Sequence, residues 1–399
     1  MKLLLGSRSL FSLALCGSLL LSACSPDRDP ENQSGAEEEA IDDDSGLFAV
    51  DIPHTSIKWQ SIGNCWIYAF FGWAESLIIQ YSGEQRNFSE SYISYRHFEQ
   101  QILAGATELR TGGSFMYARR LAQQYGLMYE GDFIPQEADR ARSNVQAKAL
   151  AYLNESLSRG PLSNTSTRSM ALVRSELDKA FGVQLANLRP LIFYPSDLAV
   201  SDSTSLEDAL AVTREVGASP NASSNKPESA LPEAPSGYSE AEVQLMRRVM
   251  RALNDNYPVV INWFVDFNGL TPEGRFDINA VKRAGSGNQG YHSTVIEDYT
   301  AKGVAPDGSA FEVGEGLADE ESQNLAASSG RLTSIIIKNS WGGADRPDRF
   351  SYPIEGEYGY HRLEDNYLYG YMKEFDQDDK TRFIRAKRGI TSFILPLGY

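Results

Sequence analysis

Cysteine and histidine are both scarce here: the 399 residues hold three of the first and four of the second. The cysteines stand at positions 16, 24 and 65, so the chain beyond residue 24 has a single thiol and no internal disulfide can form in it. Basic residues do not cluster and the net charge is −16, which excludes a lysine- and arginine-built nucleic-acid surface. The acidic stretch at 25–50 lacks the spaced Asp and Gly of a calcium loop, so no metal is expected there, and no other cofactor is expected. Nor is any internal repeat visible. What is present is ample apolar material, 42% hydrophobic and 11% aromatic, enough for one large or two ordinary domains with a sizeable core.

The first 24 residues stand apart. Lys2 and Arg8 precede an apolar run that ends in Leu21-Ser22-Ala23-Cys24. The run is short for a membrane span and has no stop-transfer charges. It resembles a bacterial lipoprotein signal, which implies that 1–23 is removed and that Cys24 carries lipid; an ordinary secretory signal is the alternative. Ser25, in place of Asp, implies the outer membrane under the sorting rules of well-studied Gram-negative bacteria. Residues 25–50 carry nine acids against Arg28 alone, so 24–51 is expected to be a solvated tether that holds the folded part off the membrane. Cys65 would then be a lone thiol in an oxidising compartment, kept either for chemistry or as an inert buried residue.

Helical and extended patterns divide the remainder. Residues 65–81 are apolar almost all round, which suits a helix buried at a domain centre, with Asn64 as its N-cap and Cys65 in its first turn. A second helix runs through "FMYARRLAQQYG" to Gly126. Residues 137–159 and 165–182 read as two surface helices, and 216–237, with four Pro and five Ser, as a flexible loop. Ser239 and Glu242 form a possible capping box. After it, β-branched and aromatic runs at 258–267, 292–300, 331–341 and 358–364 read as strands. Helices in front and strands behind imply an α+β protein with a cleft between its two parts.

A thiolate is favoured at a helix N-terminus and beside an imidazolium. Cys65 has the first by position, and His292, behind the Gly-rich lead "GSGNQGY", is the histidine that starts a strand. "CWIYAF" at 65–70, "FSESYISY" at 88–95, "TGGSFMYA" at 111–118, "YHSTVIEDY" at 291–299, "IIIKNSWG" at 335–342 and "GEYGYHRL" at 356–363 resemble, in order, the signatures of papain-like cysteine peptidases. The resemblance covers about 52–365. It implies a two-part fold, with a helical left part whose central helix starts at the nucleophile and a β-barrel-like right part, within a catalytic domain at 52–399.

The resemblance also implies the roles. Cys65 is the nucleophile, His292 the general base and then acid, Asn339 the orienter of the imidazole, and Trp341 the shelter of their hydrogen bond. Gln60 and the Cys65 N–H form the oxyanion hole, and the substrate backbone runs along Gly112 and Gly113. The pattern has departures: Gln60 lies five residues before Cys65 where six is usual, Ile62 replaces a disulfide cysteine, and Ser293 replaces a small apolar residue. His292 and Asn339 follow Cys65 by 227 and 274 residues, against roughly 130 to 150 in papain-type enzymes. The excess is expected in surface insertions at about 136–237 and 301–330. The family's long inhibitory prosegment does not fit between Cys24 and residue 52, so no proteolytic activation is expected. His54, His97 and His361 read as structural.

The expected function is hydrolysis of a peptide or protein substrate by a lipid-anchored thiol peptidase. A non-catalytic binding lipoprotein and an acyltransferase using the same three residues remain as alternatives. Oligomeric state is not legible.

Overall fold

The computed structural model describes residues 49–138, 140–188, 195–218, 223–224, 237–314, 319–342, 350–354, 357–376 and 382–399. Segment 1–23, Cys24, the acidic stretch to residue 48 and most of the 216–237 loop lie outside these residues. Ala49 and Val50, which fall inside the expected tether, are buried against the body: the Val50 N–H donates to Asp298 Oδ1 at 2.9 Å, and Gln323 Nε2 donates to the Ala49 carbonyl at 2.6 Å.

The fold is α+β. Its front part holds α1 (Cys65–Ser82), α2 (Glu90–Leu103), α3 (Phe115–Tyr125), α4 (Glu130–Phe133), α5 (Gln146–Arg159) and α6 (Met170–Phe181). A small hairpin, β1 (Ala199–Ser201) and β2 (Thr204–Ser205), leads into α7 (Leu206–Ala211), β3 (Thr213–Gly217) and β4 (Ser223–Ser224). The back part opens with α8 (Glu240–Asn254), then β5 (Val260–Asp266), β6 (Arg275–Phe276), α9 (Ile278–Ala284), β7 (Gln289–Val304), β8 (Ala310–Val313) and α10 (Glu320–Ser329). It closes with β9 (Arg331–Lys338), β10 (Tyr352–Ile354), β11 (Glu357–Glu364), α11 (Asp365–Tyr369), β12 (Tyr371–Phe375), β13 (Phe383–Arg388) and β14 (Ile390–Pro396). Among the described residues no helix is long and apolar enough to cross a membrane.

The main sheet runs in the order β10-β11-β9-β7-β5-β14-β3, with β6 on β11 and β8 on β7. Among the described residues it is open, which corrects the expected barrel-like part. Closure would need its end strands to pair, and β10 and β3 stand at opposite ends, while β12, β13 and β4 form a separate small sheet. Alternation along the strands feeds two cores. Val260, Val295 and Ile394 point into the helical part, where α1 packs. Their neighbours Ile261, Ile296 and Phe393 face Leu245, Val249 and Leu253 of α8 on the other side.

The segment at 136–237 is more than a surface insertion. Leu153, Leu157, Val173, Leu177 and Phe181 are buried in the helical core, because α5 and α6 each carry an apolar stripe at i, i+4 spacing. Further on, β3 pairs with β14. The 301–330 segment supplies the end of β7, its hairpin partner β8 and all of α10.

Candidate active site

Cys65 is the first residue of α1 and is half-buried. Asn64 occupies the cap position, yet its side chain does not cap the helix. Its Nδ2 instead donates to Gln146 Oε1 at 2.9 Å and to Ser94 Oγ at 3.2 Å, and its buried Oδ1 has no hydrogen-bond partner among the described residues. No acidic residue stands in the first turn of α1. The first turn of α1 thus carries neither an acid of its own nor a side-chain cap on the positive end of the helix dipole, and that end favours a thiolate.

Packing sets the height of Cys65 against the sheet. At Gly72 the helix touches β7 so closely that a Cβ would sit 2.8 Å from Val295 Cγ2. Seven residues back along α1 is about 10.5 Å, and three back along β7 from Val295 is about 10 Å. Both steps lead toward the end of β9: the Gln60 N–H donates to the Ser340 carbonyl at 2.8 Å, Trp59 pairs with Trp341, and His292 bonds to Asn339. Counted from the Gly72–Val295 contact, Cys65 and His292 each lie about 10 Å back along their own elements.

One backbone donor fixes the proton positions at this end. The Ser340 N–H donates to Asn339 Oδ1 at 2.8 Å, so the oxygen of that carboxamide is the atom turned toward His292. His292 Nε2, 2.7 Å from the same oxygen, must carry the proton, and Nδ1 of the neutral ring keeps its lone pair. Asn339 Nδ2 is left to donate to His361 Nδ1 at 3.2 Å. The Trp341 ring lies nearly flat on His292, centroids 4.7 Å apart at 22°, and Trp263 meets it edge-on at 5.6 Å. His292 and Asn339 are 5% and 2% exposed, so water is kept from their bond. Burial pushes the His292 imidazole down to about 4 against the opposing effect of the Asn339 bond, which makes it a neutral acceptor at pH 7.

Gln60 is buried beside the same loop. Its Oε1 accepts from the Ser340 hydroxyl at 2.6 Å, and its Nε2 donates to the Ile62 carbonyl at 3.0 Å. An amide nitrogen has two hydrogens, and one is committed to Ile62. Gly112 and Gly113 are both exposed but differ in what fixes them. A Cβ at Gly113 would sit 2.4 Å from Trp66 Cε2, whereas one at Gly112 would meet nothing within 4 Å. Ser293, next to the histidine, donates its hydroxyl to Asn262 Oδ1 on the neighbouring strand.

No protein-family model matches the chain, and no curated protein matches it either. Solved structures similar to it include PepW from Lactobacillus rhamnosis HN001, 12% identical over 88% of this chain and 82% of that one, with a TM-score of 0.45. Xylellain, a cysteine protease from Xylella fastidiosa, is 13% identical over 94% of each chain, with a TM-score of 0.37. A structure from work on the mite allergens Blo t 1 and Der p 1 is 12% identical over 92% of this chain and 76% of that one, with a TM-score of 0.33.

Three residues beside the site escaped the sequence reading. His361 bonds Asn339, Gln146 holds Asn64, and Arg142 lays its guanidinium 3.7 Å above the centroid of Trp59. The signal for His361 was strand pairing: it stands opposite Ile337 on β9, two residues before Asn339 and on the same face. The other two lie in the segment expected to be a surface insertion. His54, 2.8 Å from Glu297, and His97, bonded to the Arg110 carbonyl at 2.8 Å, have structural partners.

Proposed function

We propose that this chain is a papain-like cysteine peptidase that hydrolyses peptide bonds through Cys65, His292 and Asn339. The observation that carries the reading is the Asn339 oxygen, held by the Ser340 N–H and bonded to His292 Nε2, which leaves Nδ1 of a buried neutral imidazole as the proton acceptor. Support comes also from the six signatures in their order along the chain.

In this mechanism Nδ1 takes the Cys65 proton as sulfur adds to the peptide carbonyl carbon and the carbonyl electron pair moves onto oxygen. The Cys65 N–H and the second hydrogen of Gln60 Nε2 are the donors for that oxyanion. The intermediate collapses, the C–N bond breaks, and the imidazolium gives its proton to the departing amine. Water then adds to the thioester with Nδ1 as base, and the C–S bond breaks to return the thiolate. The substrate is a peptide or protein, and no step calls for a cofactor.

Incubation with a peptide mixture, read by mass spectrometry, tests the reading. Cys65→Ala is expected to abolish both cleavage and labelling by iodoacetamide or a peptidyl epoxide; cleavage that survives the substitution sinks it. Added amine nucleophiles show whether the acyl group passes to water or is transferred, and labelling without turnover points to a binding lipoprotein.

We also propose that Cys24 carries lipid and anchors the catalytic part, 52–399, to the outer membrane through the acidic 24–51 stretch. The sequence Leu21-Ser22-Ala23-Cys24 supports this. In a bacterial host fed a radioactive fatty acid, the unaltered protein is expected to take up label and Cys24→Ser to take up none. Equal labelling of the two overturns the anchor.

A further inference from the structure

His361 is a buried histidine that the mechanism above does not use. It sits on β11, 2% exposed, with Phe276 5.9 Å and Trp341 5.2 Å from its ring. Its Nδ1 accepts from Asn339 Nδ2 at 3.2 Å, and its buried Nε2 has no hydrogen-bond partner among the described residues. A structural histidine in an aromatic pocket does its own packing best with both nitrogens satisfied or with an apolar replacement, because an orphaned buried donor is costly. Keeping the orphan is explained if the other nitrogen is needed where it is.

We infer that His361 is a positioning residue: its Nδ1 lone pair holds the Asn339 carboxamide so that the oxygen stays on His292, and the row His292–Asn339–His361 stabilises the imidazolium formed when Cys65 loses its proton. The inference rests on Cys65 and His292 being the reacting pair. A carboxamide is nearly symmetrical in shape, and rotating it by 180° would present an N–H to the protonated Nε2. The Ser340 N–H opposes that rotation from one side and His361 Nδ1 from the other. The polarity of the row runs one way: Nε2–H of His292 to Oδ1, Nδ2–H to Nδ1. A positive charge on His292 strengthens each bond in turn, since the negative end of each dipole is turned toward it.

The second histidine must itself stay neutral. The groups packed around it from β6 and the loop after β9 are aromatic, Phe276 and Trp341, and its strand partner is Ile337. Burial, and then the nearby charge of His292, push it down to about 3, so it remains an acceptor throughout the neutral range.

The test is the pH dependence of Cys65 alkylation by iodoacetamide on the full chain, a readout that needs no peptide turnover. His361→Asn puts an oxygen where Nδ1 stood, and His361→Leu removes the acceptor. In the Leu variant the acid limb of the profile is expected to move up toward the ordinary thiol range near about 8.5. Alkylation at pH 6 should then slow about tenfold for each unit that the limb rises. The Asn variant should keep the limb of the unaltered protein, and an Asn339→Ala background should abolish the difference between His361 and Leu. A limb that stays put in the Leu variant, or that moves equally in Leu and Asn, overturns the inference, whatever the melting temperatures do. If the Leu variant does not fold, the Asn variant decides alone: a moved limb overturns it. An ordinary thiol profile in the unaltered protein overturns the reacting pair itself, which separates that failure from the failure of His361.

Discussion

At the scale of single residues the site is built from atoms that have little freedom. Asn339 shows this most directly, since one backbone N–H determines which end of its carboxamide meets His292 and so which nitrogen of that ring can take a proton. The two glycines expected along the cleft separate into different cases. At Gly113 the side of Trp66 fills the space a Cβ needs, so Gly113→Ala is expected to lower stability by about 1–3 kcal/mol in urea denaturation through overpacking. At Gly112 the space is open, so Gly112→Ala should stay within about 0.5 kcal/mol. Any loss it causes should appear as weaker peptide cleavage. A Gly113→Ala loss as small as that expected for Gly112→Ala would show that Trp66 yields at little cost and would remove the distinction.

Helices and strands place these residues, and their ends are chemically unequal. The α8 start is fully capped: Ser239 accepts from the Glu242 N–H and Glu242 reaches back to the Ser239 N–H at 2.7 Å, the capping box legible in the sequence. The α1 start is not capped by a side chain, because Asn64 is drawn away by Gln146 and Ser94. A side-chain cap there would accept from the N–H of Trp66 or Ile67, next to but not at the Cys65 N–H that the proposed mechanism uses as oxyanion donor. Ser239→Ala is therefore expected to cost about 1 kcal/mol. It should lower the melting temperature and leave Cys65 alkylation unchanged; an altered alkylation rate would count against α8 being scaffold alone.

The whole molecule is joined across its two parts by buried charge. Beside Asn339 a cavity of about 30 Å³ is lined in part by Lys58, Glu75, Glu90, Thr294 and Lys338. Lys58 lies 2.7 Å from Glu90 and 3.6 Å from Glu130. Burial opposes its charge, but Glu90, Glu75 and Glu130 outweigh that and raise its pKa above the ordinary lysine value. Lys338, with the same burial and weaker support from Glu75 and Glu297, is pushed down to about 8. Removing one member of such a group leaves a charge in the interior without its closest partner. Glu90→Ala is expected to cost about 3–5 kcal/mol in denaturant unfolding. A loss under about 1 kcal/mol would mean that Glu130 or water takes over the role.

Much of this was legible in the order of residues, and the rest was not, for physical reasons. Apolar periodicity marked α1 and α3, β-branched runs marked β5, β7, β9 and β11, and Ser239 with Glu242 marked the start of α8, because each of these is decided by neighbours within a few positions. Cys65, His292, Asn339 and Trp341 were singled out by their local contexts. Decided only by tertiary structure were the openness of the sheet, the burial of α5 and α6, the place of β14 between β5 and β3, and the loss of the Asn64 cap to Gln146. His361 belongs with these: its role depends on the register of β9 against β11, which brings it to Asn339 across 22 positions of chain. Short-range chemistry is written in adjacent letters, whereas a hydrogen bond between distant strands exists only once the packing of both has chosen a register.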